Sequence, residues 1–307
     1  MALLLLLVSF PSAAAVKKKA SDPETVLKQG REAFLNYDFE KAADLYEQYQ
    51  TLKKKSKKPL DEDFEKWEQE LEIANNAFER VQKIEIIDSL SFPFDSFYKA
   101  YKLAASAGKI DKINEFKSLP LADEEVVTFI NEDGDLIFWS IENEDGNSRI
   151  MEAKGLLDGD WIVEESLEGD FDKNGDYLYP FLSQDGQTLY FASDGEGSMG
   201  GLDIFVAQRD PFSNEYRQPL NIGMPFNSPA NDFMMAIDEE NGLGWWATDR
   251  NSVDGEVTVY VYILEEVRKN YPIDTEDLDQ LAKISEYKAT QNPEREKIYN
   301  EYSNKIQ

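Results

Sequence analysis

From residue 126 onward the chain carries three copies of one β-strand pattern, and this repeat limits the possible folds more than any other feature. Each copy is an alternating strand, an acidic turn with a glycine, and an aromatic strand. The copies cover residues 126–140, 179–193 and 233–249. Their turn glycines, 52 and 56 residues apart, are Gly134, Gly186 and Gly242. Short alternating strands between glycine turns predict antiparallel hairpins, and a repeat of this length predicts one small sheet per copy.

Further strands and two helices are predicted after these hairpins. Third strands are expected over residues 148–151, 202–206 and 257–263, and fourth strands over residues 161–163 and 216–222. The chain then ends in two helices, one over residues 275–287 and one beginning at Asn292, with a proline in its first turn. Three sheets leave open edges, so we expect these helices to cover one of them. The alternative is that a partner completes the open side.

The first part of the chain reads as helical, with small and aromatic residues repeated at helical spacing. Over residues 26–50 they are Gly30, Ala33, Phe34, Tyr37, Phe39, Ala42, Tyr46 and Tyr49. Small residues let two antiparallel helices approach closely, and aromatic rings fill the space between them. Another helix is expected over residues 60–83, after a lysine-rich, solvated loop over residues 53–59. The alternative for that loop is a contact with an acidic surface.

Composition excludes several kinds of chemistry. The chain has no Cys and no His, which excludes thiolate nucleophiles, disulfides, Ser-His-Asp triads and Cys or His zinc sites. Its net charge of -29 opposes binding to nucleic acid or anionic lipid. Residues 16–120 hold 19 basic and 20 acidic residues, whereas residues 121–307 hold 13 basic and 41 acidic. The resulting charges of -1 and -28 indicate two units with different surfaces.

An apolar run at residues 3–10 is followed by Pro, Ser and three alanines. This pattern predicts a secretory signal peptide over residues 1–15, and the run is too short to span a bilayer as a helix. We therefore expect an exported mature chain that begins near Val16 and has no transmembrane segment. The alternative is a buried helix.

The helical and β patterns resemble two known repeat families. Residues 26–50 are similar to a tetratricopeptide repeat. The segment at residues 179–210, YPFLSQDGQTLYFASDGEGSMGGLDIFVAQRD, is similar to a PD40 (WD40-like) blade of TolB-type propellers. The continuation at residues 216–251 resembles exported envelope proteins that join both repeat types, including a component of type IX secretion and gliding machinery.

The resemblance implies an α+β multidomain fold. Its expected parts are a tetratricopeptide-like helical unit (22–88), a connector with short helices at 95–106 and 109–117 (89–120), PD40 propeller-type blades (121–265) and a C-terminal helical segment (270–307). Only three blades are recognised, whereas closed propellers have four to eight, so the propeller is expected to be incomplete. No segment similar to the family's OmpA-like domain follows, and peptidoglycan binding is therefore not carried over.

One candidate metal site precedes the second repeat. Asp170, Asp172, Asn174 and Asp176 alternate like the oxygen ligands of a calcium loop. The glutamate of such a loop is missing, because Phe181 stands at its twelfth position. The alternative is a structural turn, and no other cofactor is expected.

The glycine-rich segment at residues 195–201 resembles a phosphate loop only in composition. It lies between predicted strands, contains a glutamate and has no lysine, which argues against phosphate binding. We expect a tight loop in which Asp194 and Asp203 accept hydrogen bonds from backbone N–H groups.

Three further positions are candidates for contacts with a partner, and one for modification. Neighbouring strand residues point to opposite faces, so one of Trp245 and Trp246 could anchor a protein or a sugar; core packing of both is the favoured interpretation. Met199, in the glycine-rich loop, is the third partner-binding candidate. Ser89 lies in an Asp-Ser-Leu tripeptide that looks like an O-glycosylation acceptor.

The sequence predicts a non-catalytic, exported scaffold that binds protein partners in a cell-envelope complex of the periplasm or outer membrane. Helical-repeat grooves and propeller faces both bind peptides and proteins. One alternative is a glycan- or calcium-binding accessory of an outer-membrane nutrient-uptake system. Another is a glycosidase that uses paired carboxylates, although such pairs arise by chance among 41 acidic residues, and no catalytic residue is assigned.

Overall fold

A computed structural model gives the fold of this chain as helices and several antiparallel sheets. It describes residues 22–117, 119–121, 125–164, 167, 169, 171 and 174–306. The predicted mixed α+β class is confirmed at this level. Within the described ranges, no helix combines the length and the apolar character that a membrane span requires. The predicted signal peptide, residues 1–15, lies outside the described residues.

Three helices form the N-terminal unit: α1 (Pro23–Leu35), α2 (Phe39–Ser56) and α3 (Phe64–Phe78). The helices predicted within residues 26–50 and 60–83 are therefore present. Aspartates begin the first two helices, because the side chains of Asp22 and Asp38 accept hydrogen bonds from the backbone N–H groups of Thr25 and Lys41. Such N-caps satisfy backbone donors that have no partner inside the helix.

The predicted lysine-rich loop is shorter than expected. Helix α2 continues through three lysines to Ser56 and ends at Lys57, whose backbone is left-handed. Positive side chains stabilise the carboxyl end of a helix through its dipole, so the helix absorbs the start of the lysine run. Lys53 is buried, and its ammonium lies 2.8 Å from a carboxylate oxygen of Glu24 on α1.

Helices α1 and α2 approach closely at Gly30. A Cβ atom on this buried residue would lie 2.7 Å from the ring of Tyr46 on α2. The predicted role of a small residue between antiparallel helices is confirmed at this position, because any larger side chain would have to displace a buried ring.

The strands of the described residues follow in chain order: β1 (Ile86–Pro93), β2 (Lys109–Ile113), β3 (Glu115–Phe116), β4 (Leu119–Pro120), β5 (Val126–Ile130), β6 (Leu136–Glu142), β7 (Ser148–Gly155), β8 (Trp161–Glu164), β9 (Tyr177–Leu182), β10 (Thr188–Ser193), β11 (Asp203–Gln208), β12 (Leu220–Asn221), β13 (Asp232–Asp238), β14 (Leu243–Thr248) and β15 (Glu256–Ile263). They form a first sheet in the order β2-β5-β6-β7-β8, a second in the order β12-β11-β10-β9 and a third in the order β1-β15-β14-β13. Strands β3 and β4 pair separately.

The three predicted hairpins are confirmed as β5–β6, β9–β10 and β13–β14. Their turn glycines have nearly the same positive φ, 66° at Gly134, 69° at Gly186 and 66° at Gly242. Each glycine N–H donates to the carbonyl of the residue three positions earlier. A left-handed backbone at the same place in each turn is the reason that glycine recurs there.

Strands β1 to β4 lie wholly or partly in the segment predicted as a connector, and two of them join the main sheets. Strand β1 pairs with β15 as the fourth strand of the third sheet, and β2 pairs with β5 in the first sheet. The predicted helix over residues 109–117 is wrong, because residues 109–113 are extended and all pair with β5. Ile110 is buried, whereas Lys109 is exposed. The predicted helix over residues 95–106 is replaced by two short 3-10 helices, Phe94–Ala100 and Ala105–Ala107.

The C-terminal segment contains helices α4 (Leu278–Lys283) and α5 (Glu296–Ile306), with short 3-10 helices before α5. The Asn292 side chain accepts a hydrogen bond from the N–H of Glu294, as expected for a cap followed by proline. The segment also lies against the edge strand β1: the Ile86 N–H donates to Thr290 Oγ1 (3.0 Å), and Gln291 donates to the Ile86 carbonyl (2.8 Å). The prediction that this segment covers a sheet edge is confirmed at the start of β1.

Aromatic rings join the three sheets in one core. Phe129 of the first sheet meets Phe181 of the second at 4.9 Å between ring centroids. Tyr179 of the second sheet stacks on Phe233 of the third at 4.8 Å. The helical unit has its own core, which also contains side chains from the second sheet's loops and from α4: Met199, Met224, Leu278 and Ala282.

Candidate interaction groove

Three adjoining clefts form a groove that begins between helix α3 and the loops of the second sheet and ends on strands of the second and third sheets. The first cleft (about 970 Å³) is shared by α3 and the glycine-rich loop. The second (about 370 Å³) adjoins it at Ile73. The third (about 580 Å³) adjoins the second at Ile222 and Arg268. We refer to the three together as the groove.

Backbone contact between glycines shapes one wall of the first cleft. Gly175 has φ of +94°, and a Cβ atom on it would lie 2.6 Å from the Cα atom of Gly195. Asp194 Oδ1 accepts a hydrogen bond from the Asp176 N–H (2.8 Å), and Asp203 Oδ2 accepts one from the Met199 N–H (3.0 Å). The expected tight loop, with Asp194 and Asp203 bound to backbone N–H groups, is confirmed.

Helix α3 forms the opposite wall, where one buried carboxylate is paired. Glu70 Oε2 lies 2.8 Å from Nη1 of Arg31, which comes from α1. Burial raises the pKa of Glu70, and the positive charge of Arg31 acts in the opposite direction. The Arg31 guanidinium also lies 4.9 Å from the Trp67 ring. This wall is therefore fixed by contacts between α1 and α3.

The second cleft is lined by cationic and neutral groups. Arg80, just after α3, and Arg268, after the third sheet, both line it. The Arg268 guanidinium donates to the carbonyls of Ile222 (3.3 Å) and Arg80 (3.4 Å). Burial lowers the pKa of Arg268, and the charge of Arg80 lowers it further.

The third cleft has an apolar floor and an acidic rim. Its apolar and aromatic lining residues are Tyr190, Val206, Ile222, Phe226, Met235, Ile237, Tyr262 and Leu264. Glu239, Glu265 and Glu266 also line it and are exposed. An open apolar surface beside charged residues is a common feature of binding grooves.

A buried ion pair holds the loop between the second and third sheets. Arg250 Nη2 lies 2.5 Å from Asp232 Oδ1, and both side chains are almost fully buried. Arg250 also donates to the carbonyl oxygens of Pro225 (2.7 Å) and Phe226. Ser228, in the same loop, donates its hydroxyl hydrogen to Asp232 Oδ2 at 2.6 Å. This network places Phe226 on the floor of the third cleft.

None of the predicted partner-binding side chains is exposed. Trp245 and Trp246 are both 0% exposed and point to opposite faces of β14, one into the core shared by the sheets and one against Phe226. Both tryptophans therefore pack in the core, as the favoured interpretation of the sequence has it, because the third sheet is covered on both faces. Met199 is also buried, and it packs in the core of the helical unit.

The candidate calcium site is only partly described. Asp170 and Asp172 lie outside the described residues. Asn174 lines the first cleft, and Asp176 Oδ1 accepts a hydrogen bond from the Ser148 N–H at 2.6 Å. No group of three or more acidic side chains suited to a metal ion occurs in the part of the chain that the structure describes.

Ser89, the glycosylation candidate, lies in the middle of edge strand β1, opposite Tyr260 of β15. It is half-buried, and its N–H is bound by the Asp88 carboxylate at 2.8 Å.

Reasoning from the sequence missed Arg80 and Arg268, the cations of the second cleft. They stand 188 positions apart and belong to no motif. The scarcity of basic residues after position 120 makes Arg268 unusual, but no signal in the sequence distinguishes Arg80 from the other basic residues of the first part of the chain.

No protein-family model matches the chain, and a search of curated proteins finds no significant match. The function is therefore proposed from the geometry of the groove together with the sequence patterns.

Proposed function

We propose that this protein is a non-catalytic, exported scaffold subunit that binds a segment of a protein partner in its groove, within a complex of the cell envelope. The observation that carries the proposal is the continuity of the groove between the helical unit and two sheets. Its polar first cleft leads through a cationic second cleft to an apolar third cleft. A surface that changes character along its length suits an extended peptide better than a compact small molecule.

The resemblance to tetratricopeptide and PD40 repeats supports the same class of function. In this proposal, the three helices are a short tetratricopeptide-like unit and the three sheets are blades of an incomplete propeller. Strand β1 then completes the third blade from the N-terminal side of the repeats. Such helical units and blades present grooves and loop faces that bind proteins.

The charge distribution favours a partner that is not strongly anionic. Residues 121–307 carry a charge of -28, which repels acidic surfaces over distances of about 10 Å at moderate salt. The proposed partner is thus neutral or basic overall, with any negative group restricted to the second cleft.

Site-specific photocrosslinking tests the proposal. A photoreactive amino acid is placed at Lys66 or Asn76, which are exposed on the groove walls. The control position is Phe212, which is 97% exposed and lines none of the three clefts. After irradiation of cells that produce the protein, discrete adducts with an envelope protein are expected from the groove positions and not from the control.

Two results would contradict the proposal. One is an absence of adducts from both groove positions, combined with no stable partner recovered from detergent-solubilised envelope. The other is adduct formation that is equally strong at Phe212, which would place the contact surface elsewhere.

A further inference from the structure

Two arginines of the groove differ from most others in the protein by their lack of a carboxylate partner. Ion pairs with Asp or Glu hold Arg31, Arg209, Arg217, Arg250 and Arg295. Among the described residues, neither Arg80 nor Arg268 forms an ion pair. Although the chain has 61 acidic residues and 32 basic ones, both arginines are exposed, so water hydrates their charges in the free protein and an anionic ligand can reach them.

The two arginines share the second cleft with neutral groups. Its other lining residues are Ile73, Asn76, Ala77, Asn221, Ile222, Gly223 and Asn270, so no carboxylate lines it. Like charges that face one cleft repel each other. An anion between them would replace this repulsion by two attractive contacts.

Neutral acceptors orient the Arg268 guanidinium, and none of the described carboxylates forms an ion pair with it, although three glutamates line the adjoining third cleft. Its Nη1 donates to the Ile222 carbonyl at 3.3 Å, its Nη2 to the Arg80 carbonyl at 3.4 Å and its Nε to Asn270 Oδ1 at 3.3 Å. Because the bond to Arg80 joins it to the end of α3, the two arginines are held at the same site. A guanidinium oriented in this way is prepared to bind the two oxygens of a carboxylate.

The adjoining third cleft shows what the anion must carry. Arg268 and Ile222 line both clefts, so an anionic group at Arg268 lies next to the apolar floor around Phe226 and Met235. The three glutamates of the third cleft disfavour a second negative charge there. The ligand therefore combines one carboxylate with an apolar group close to it.

We propose that Arg80 and Arg268 bind the C-terminal carboxylate of a peptide whose last side chains are apolar and enter the third cleft. A chain terminus carries its carboxylate and its last side chain on the same carbon, which matches two clefts that meet at Arg268. This inference rests on the proposed function, because it names the chemistry of the partner segment that the groove binds.

Binding of short peptides to the full chain tests this assignment. The probe is a fluorescein-labelled peptide, Gly-Ser-Gly-Ser-Leu-Phe, with a free C-terminal carboxylate, and fluorescence anisotropy reports its binding. The matched probe is the same peptide with a C-terminal amide. Amidation, Arg80→Gln and Arg268→Gln are each expected to weaken binding at least about tenfold, the usual effect of losing a charge-assisted hydrogen bond. Arg217→Gln removes the same charge from an exposed residue outside the groove and is expected to change the dissociation constant less than about twofold.

The outcomes separate this inference from the proposed function. Equal binding of the amide, or no effect of either groove variant in proteins with unchanged thermal unfolding, would overturn the inference. Displacement of the peptide by inorganic phosphate more readily than by N-acetyl-leucine would also overturn it, since the pair would then be a general oxyanion site. Photocrosslinks from the groove that persist in Arg268→Gln would refute the binding of a C-terminal carboxylate by this arginine, while leaving the proposed scaffold function intact. Carboxylate-dependent peptide binding in a protein that yields no envelope partner would support the carboxylate site and contradict the scaffold function.

Discussion

Replacing Arg250 by methionine is expected to lower the free energy of unfolding by about 3–5 kcal/mol. Methionine has a similar length but provides no charge and no donor. The Arg250 and Asp232 side chains are 4% and 0% exposed, so the variant leaves a carboxylate inside the protein with no cation beside it. Removal of one partner of a buried pair is strongly destabilising for this reason, even where the intact pair adds little net stability.

The hydrogen bonds around Arg250 set the magnitude. The variant removes the donors to the carbonyls of Pro225 and Phe226, and each buried carbonyl without a partner costs about 1–3 kcal/mol. Asp232 keeps the hydroxyl of Ser228 as a donor at 2.6 Å, which limits the loss. These costs are not additive, and the range expected for breaking the pair already includes part of them.

Urea unfolding followed by tryptophan fluorescence measures the effect, since Trp245 and Trp246 are buried in the same sheet. The control is Arg217→Met, which breaks the exposed pair with Asp210 and is expected to cost less than about 1 kcal/mol. The double variant Arg250→Met with Asp232→Asn removes both charges and should be more stable than Arg250→Met alone. A loss below about 1 kcal/mol in Arg250→Met, or a double variant that is less stable still, would refute the reasoning.

Three further variants test other parts of the fold. Gly30→Val forces a side chain against the Tyr46 ring and is expected to cost about 1–3 kcal/mol in urea unfolding, while Gln29→Val on the exposed face of α1 should cost much less. Burial raises the pKa of Asp203 well above its usual value, so the folded protein holds this proton more tightly than the unfolded chain does. The resulting stabilisation is fully present below about pH 3.9, the usual pKa of an aspartate, and is lost as the pH rises through the folded-state pKa. The melting temperature of Asp203→Asn relative to the natural protein should therefore increase from pH 4 to pH 8, and a constant difference would contradict this. Trp246→Ala leaves a cavity in a fully buried position and should cost about 3–5 kcal/mol, measured by thermal unfolding; near-native stability would mean that the ring is not in the core.

How much of the fold and the groove was predictable depended on how far apart along the chain the interacting residues lie. The hairpins β5–β6, β9–β10 and β13–β14 follow from alternation on each side of a glycine turn, and all their contacts are local. Gly30 against Tyr46 follows in the same way from helical spacing. The tryptophan pair shows the limit: adjacent strand positions predict opposite faces, but whether a face is exposed depends on what covers it. Here Phe226 covers one face and Tyr101 packs near the other ring.

The sequence alone determined the α+β class, the two helices of residues 26–50 and the repeated hairpins, because these depend on periodicity and on turn residues within a few positions. Tertiary structure decided which distant segments meet. Strand β1 pairs with β15 across the whole set of repeats, and Arg80 meets Arg268 from 188 positions away. Such contacts are selected by the packing of complete sheets and helices against one another, so no local pattern specifies them. The groove exists only where those surfaces meet.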